Sequence, residues 1–225
     1  MNFPVVPLTA KRISLGESGS NAMDCSRLYA ADSVPRMAEC IQSGGSDRSI
    51  SRGLPGMRGG DHLGITVPDM QEAEDFLVRV LGATPVYTLP GKQADDEWMA
   101  VQLGVDPRTT ITDIRFFRLG NGCNLEVFTF DSADGQAPAP RNSDIGGHHL
   151  ALYVDDIDEA VSYLREHGVE VMGRPIASKD AAVGQHWVYF RAPWGMQFEL
   201  VSYPDGKVYE ADADVRLWHP VRDAR

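Results

Sequence analysis

The sequence has few cysteines, few basic residues and no long apolar run, and each shortage excludes a class of protein. Its 225 residues include three widely spaced cysteines, Cys25, Cys40 and Cys123, an odd number that predicts free thiols and no disulfide framework. Lys and Arg total 21 against 32 Asp and Glu, which gives a formal net charge of -11. Because nucleic acids and anionic membranes bind clustered cations, we expect neither of them as a partner.

The sequence also lacks the patterns of membrane insertion and secretion. No apolar run approaches the roughly 20 residues that a membrane-spanning helix needs. Lys11 and Arg12 follow the first apolar residues, whereas in a secretory signal the basic residues come first. We therefore expect a cytoplasmic protein.

Changes in composition divide the chain into five segments. Residues 1–58 are rich in Ser, Gly, Pro and Arg without sustained periodicity, which predicts a mostly disordered N-terminal extension. Residues 59–131 and 146–204 each carry strand and helix patterns, and a Pro-rich linker at 132–145 joins them. The remaining residues, 205–225, form a polar C-terminal tail, in which Leu217 and Trp218 offer the apolar groups that could dock on the body.

Each of the two patterned segments predicts a strand, a helix and three further strands. The predicted strands lie at 62–67, 84–89, 113–119 and 123–130 in the first segment and at 149–154, 169–176, 185–191 and 196–203 in the second. Asp69 and Asp156 are suited to cap the two helices, which Gly82 and Gly168 end. The acidic residues 95–97 fall in the long segment between the second and third predicted strands, which we predict to be a loop.

The second segment repeats the first. His62–Ala73 aligns with His149–Ala160 without a gap, and Asn124–Phe128 aligns with Gln197–Val201. Each copy therefore opens with a strand led by His and closes with a strand that carries a central Glu. We predict an α+β fold of two βαβββ modules, whose curved mixed sheets enclose a metal-binding cavity.

Two His and two Glu occupy equivalent places in the two copies: His62, His149, Glu126 and Glu199. A single such His is more often a structural residue, and a single strand Glu often faces solvent. Their coincidence in both copies favours one shared site near a pseudo-twofold axis. Two imidazoles and two carboxylates suit one divalent metal ion, namely Zn, Ni, Co, Mn or Fe.

Three further residues are candidates for contact with a substrate. Thr66 and Tyr153 lie four residues after His62 and His149, so strand alternation places them on the same side as the predicted ligands. Arg115 lies in a predicted strand and could meet a carboxylate of the substrate.

These residues resemble the signature of the vicinal oxygen chelate superfamily, which includes glyoxalase I, methylmalonyl-CoA epimerase, extradiol dioxygenases and bleomycin resistance proteins. The resemblance spans about residues 60–203. It rests on His62 with Val67-Pro68-Asp69-Met70, on Leu125-Glu126-Val127, on His149 with Val154-Asp155-Asp156, and on Pro193-Trp194-Gly195 with Phe198-Glu199-Leu200.

The resemblance implies a metal-dependent, glyoxalase-like isomerase, epimerase or lyase. In such an enzyme Glu199 or Glu126 would remove a proton next to the metal-bound carbonyl of a small molecule. The resemblance also implies a homodimer, with the four-residue site formed either within one chain or across two.

Two alternatives follow from the same resemblance. Extradiol-type ring-cleaving dioxygenases use Fe(II) held by two His and one Glu, which here would leave Glu126 spare. A non-catalytic protein that binds a small molecule or confers resistance is the other alternative, although bleomycin-binding relatives lack the metal residues. Thr66 and Phe130 stand where bacterial glyoxalase I holds glutathione with Arg and Asn, so we do not expect glutathione recognition.

Overall fold

The computed structural model describes residues 54–92 and 96–223, and the described residues from Arg58 onward form one compact unit. Residues 1–53 of the predicted N-terminal extension lie outside the described residues.

The described strands form two four-stranded sheets of the same strand order. The first sheet contains β1 (His62–Thr66), β2 (Thr84–Lys92), β3 (Thr110–Arg118) and β4 (Asn124–Asp131), in the order β1-β4-β3-β2. The second contains β5 (His149–Tyr153), β6 (Val171–Ala177), β7 (His186–Arg191) and β8 (Gln197–Ser202), in the order β5-β8-β7-β6. In each sheet the first strand pairs parallel with the fourth, and the other pairs are antiparallel. The predicted fold of two βαβββ modules is confirmed.

Helical segments accompany the sheets. They are α1 (Met70–Asp75, continued by a π-helical turn at Phe76–Val80), α2 (Asp96–Leu103), α3 (Ile157–Glu166) and 3-10 turns at Asp180–Ala182 and Val208–Ala211. Asp69 and Asp156 cap α1 and α3 as predicted, because their carboxylates accept backbone N–H groups of the first helical turn. In the described ranges no helix is long and apolar enough to cross a membrane.

The prediction of a loop at 95–97 is wrong for residues 96 and 97, which begin α2. Met99 of this helix is fully buried against Ile111 and Ile114 of β3. Because the segment has no clear one-sided apolar stripe, its sequence does not indicate a helix. Packing on the sheet stabilises it.

One apolar core joins the two modules. Leu125 of β4 and Phe198 of β8 both lie in it, together with the apolar faces of α1 and α3. Phe76, at the start of the π-helical turn, packs edge-on against Trp194 of the second module, with 5.6 Å between ring centroids. The inner faces of the central strands of both sheets are therefore buried in a single core.

Replacing Phe76 by Ala should lower the free energy of unfolding by about 3–5 kcal/mol, because it removes a buried ring from the contact between the modules. Urea denaturation followed by tryptophan fluorescence measures the change. Leu217→Ala, at a side chain that is 65% exposed, is the control and should stay within about 0.5 kcal/mol of wild type. Equal effects of the two substitutions would contradict a core shared by both modules.

The C-terminal residues dock on both modules through polar groups. His219 is buried, and its ring lies 4.6 Å from the ring of Tyr153 between centroids. The side-chain amide of Asn121, in the β3–β4 turn, donates a hydrogen bond of 3.2 Å to the carbonyl of Pro220. Of the two apolar residues that could dock, Leu217 is 65% exposed, whereas Trp218 is 57% exposed but lies against Gly122 of the β3–β4 turn.

Candidate functional site

The first His–Glu pair lies on the outer face of the first sheet. Strand alternation directs Leu125 and Val127 of β4 into the core and Glu126 to the opposite face. The His62 Nε2 atom lies 3.0 Å from a carboxylate oxygen of Glu126. The His62 Nδ1 atom lies 3.2 Å from a carboxylate oxygen of Asp61. A carboxylate on the second ring nitrogen is the usual support of a metal-binding histidine.

The second pair repeats this arrangement on the outer face of the second sheet. Phe198 and Leu200 of β8 point into the core, and Glu199 points away from it. The His149 Nε2 atom lies 3.1 Å from a carboxylate oxygen of Glu199. Burial raises the pKa of Glu199 above its ordinary value, and the neighbouring His149 opposes that shift.

Strand pairing gives the two carboxylates, Glu126 and Glu199, equivalent neighbours. Each lies between a small residue on the first strand of its module and an aromatic residue on the third. These neighbours are Gly64 and Phe116 for Glu126, and Ala151 and Tyr189 for Glu199. The aromatic residue contacts the histidine of its pair edge-on, at 6.1 Å for Phe116 and 5.1 Å for Tyr189 between ring centroids.

Sequence reasoning missed both aromatic residues, because it did not determine the register of the third strand in either module. Comparison of the two copies is the signal that could have found them. Phe116 and Tyr189 each stand opposite the central glutamate of the neighbouring strand.

The two pairs do not converge within one chain. They occupy the outer faces of sheets whose inner faces are buried in the common core. Among residues 54–92 and 96–223, no three His, Cys, Asp or Glu side chains come close enough together to hold one metal ion. The sequence left open whether the site forms within one chain or across two, and the described residues of a single chain keep the two pairs apart.

The structure brings two of the three predicted substrate-binding residues to the outer faces. Thr66 lies on the side of His62 along β1 and is exposed, and Tyr153 lies on the side of His149 along β5. Arg115 does not join them. It lies on the core side of β3 and pairs with Glu74 and, at 2.7 Å, with Asp113, so its charge is already compensated.

A cavity of about 960 Å³ borders the second pair. It extends from the free edge of β5 to the β3–β4 turn, and Trp218 and Val221 of the C-terminal segment also line it. Its polar lining residues include Tyr153, Glu199 and Lys207. The cavity is large enough to hold a small organic molecule beside Glu199.

Comparisons with known proteins agree with this architecture. The model of the family described as the glyoxalase/bleomycin resistance protein/dioxygenase superfamily matches residues 61–190. A 2-epi-5-epi-valiolone epimerase from an Actinomyces species is 45% identical over 171 residues, which are 75% of this chain and 92% of that protein.

Solved structures are similar at lower identity. A glyoxalase family protein from Bacillus cereus has a TM-score of 0.52 at 20% identity and covers 66% of this chain and 97% of its own. A fosfomycin resistance protein, FosX, from Listeria monocytogenes was solved in complex with Mn(II) and sulfate ion. Its TM-score is 0.44 at 18% identity, and the match covers 69% of this chain and 98% of that one.

Proposed function

This chain belongs to the glyoxalase/bleomycin resistance protein/dioxygenase superfamily and is an enzyme of the epimerase type, and we propose that it works at a metal site shared between two chains. The observation that carries the proposal is the pair of equivalent His–Glu contacts, 3.0 and 3.1 Å long, on the outer faces of the two sheets. Following its epimerase relative, we propose 2-epi-5-epi-valiolone, or a similar polyhydroxylated cyclic ketone, as the substrate.

The donor atoms of the two pairs fit a divalent metal ion. Each pair presents an imidazole nitrogen next to a carboxylate, and Asp61 supports the ring of His62 from behind. His62 and Glu126 of one chain, with His149 and Glu199 of a second copy, would hold Zn, Ni, Co, Mn or Fe. When bound, such an ion supplies Lewis-acid stabilisation to the carbonyl oxygen of the substrate.

A homodimer is the arrangement that completes this site. β1 and β5, which carry the two histidines, are edge strands of their sheets, and no other described strand pairs with their outer edges, where a second copy could bind. A twofold dimer that sets the first module of one chain against the second module of the other forms two identical four-residue sites.

Inversion of a carbon requires proton removal from one side and proton return from the other. In the proposed dimer Glu126 and Glu199 come from facing modules and reach the substrate from different sides. One carboxylate takes the proton next to the carbonyl, and the conjugate acid of the other returns one.

Deuterium exchange tests the reaction. Metal-loaded protein incubated with 2-epi-5-epi-valiolone in D₂O should give an epimer that carries deuterium at the inverted carbon, observed by NMR. Protein treated with a chelator is the control and should give no exchange. A protein that contains stoichiometric metal, yet exchanges no proton of this or any related ketone, would overturn the proposed function.

A further inference from the structure

Lys207 lies beside the second His–Glu pair but belongs to neither its ligands nor the predicted substrate residues. It follows β8 and precedes the 3-10 turn at Val208–Ala211. Its Nζ atom lies 4.0 Å from the centroid of the Tyr203 ring, a cation–π distance. The half-buried side chain lines the cavity that also borders Glu199.

Within the part of the chain that the structure describes, the ammonium group of Lys207 forms no ion pair at contact distance with a carboxylate. The two carboxylates whose charges act on Lys207 have partners of their own, since Glu199 pairs with His149 and Glu210 pairs with Arg222. Burial lowers the pKa of Lys207, which the charges of Glu210 and Glu199 partly oppose. Cations are seldom buried without a partner, so a polar ligand in the cavity is the natural acceptor for its N–H groups.

The charges around the cavity indicate what kind of ligand this is. Among the described residues that line it, Lys207 is the one lysine or arginine, whereas the lining carboxylates are Asp155, Asp156, Glu159 and Glu199. An anionic ligand such as a phosphate ester would be repelled by this excess of negative charge. A neutral molecule with several hydroxyl groups can accept a hydrogen bond from the ammonium and donate hydrogen bonds to carboxylates.

We propose that Lys207 binds substrate, donating a hydrogen bond to a hydroxyl oxygen of a neutral, polyhydroxylated cyclic ketone on the side of the ring away from the carbonyl. The inference rests on the proposed function, because that function places the carbonyl end of the ketone at the His–Glu pairs. Tyr153, on the same cavity wall, lies on the side of His149 along β5 and provides a second hydroxyl-bearing contact.

The test compares Lys207→Met with Lys207→Arg. Lys207→Met keeps the apolar stem over Tyr203 but removes the charge, and it should lower kcat/KM for 2-epi-5-epi-valiolone by roughly 10- to 100-fold, mainly through KM. Lys207→Arg keeps a donor and should stay within about 5-fold of wild type. Lys92→Met is the matched control, since the Lys92 ammonium also lies over an aromatic ring, 3.5 Å from the centroid of Trp98, but does not line the cavity.

A second substrate separates binding from a structural effect. For 2-hydroxycyclohexanone, which lacks the additional hydroxyls, wild type and Lys207→Met should have the same KM. An equal loss on both substrates, or no loss on either, would overturn the role of Lys207 while leaving the epimerase proposal intact.

If the wild type turns over neither ketone, a direct binding measurement tests the role of Lys207. Calorimetric titration with scyllo-inosose, a polyhydroxylated cyclohexanone, should then give binding to wild type that is roughly 10-fold weaker in Lys207→Met. Equal binding to both proteins, or no binding to either, would overturn the inference.

Discussion

Replacing either Glu126 or Glu199 by Gln should lower kcat for epimerisation on the order of 10³-fold. Glutamine keeps an oxygen that can bind a metal ion but cannot accept or return a proton. The metal content and the melting temperature of both variants should therefore remain close to those of wild type. The steady-state rate of epimer formation, with metal analysis of the same samples, measures the effect.

The two variants should differ in which epimer still exchanges its proton. If one carboxylate serves each side of the substrate, Glu126→Gln should exchange with solvent deuterium from one epimer and Glu199→Gln from the other, with no inversion in either case. Asp61→Asn, next to His62, is a control that should reduce metal affinity without removing either base. Full epimerisation by one of the glutamine variants would contradict the two-base mechanism.

Removing a whole His–Glu pair should abolish both metal binding and activity. The double variants are His62→Ala with Glu126→Ala, and His149→Ala with Glu199→Ala. Each leaves two of the four proposed ligands at every site of the dimer, so metal affinity should fall more than about 100-fold and turnover should be undetectable. Metal analysis after gel filtration measures the loss, and circular dichroism checks that the variants are folded.

A double variant that keeps stoichiometric metal and activity would restrict the site to the remaining pair. It would also remove the reason for a site shared between chains.

The sequence predicts well those features that depend on local patterns and on the internal repeat. The caps at Asp69 and Asp156 are local hydrogen bonds, and the structure contains both. The alignment of the two copies predicts that His62, His149, Glu126 and Glu199 occupy equivalent places, and in the structure the equivalent strands pair in the same register. Each histidine lies beside the glutamate of its own module, and the sharing of one metal site by all four residues stays a prediction.

Features that depend on tertiary packing could not be predicted in the same way. α2 is stabilised by burial of Met99 on the outer face of the first sheet, and its own sequence lacks a helical pattern. The segment after β8 carries mostly polar residues, yet His219 is buried and Lys207 lines a cavity. Strand alternation shows which residues share a face of a sheet, but not which faces of the two sheets pack together. The sequence therefore could not predict that the two His–Glu pairs lie apart in one chain.

Mixing the two double variants tests the central claim, that one site takes one His–Glu pair from each of two chains. After subunit exchange, half of the dimers should combine one chain of each variant and contain one intact site. The mixture should then regain about a quarter of the wild-type activity and bind metal in the same proportion. If each site formed within a single chain, every chain in the mixture would carry a damaged site, and activity would stay absent.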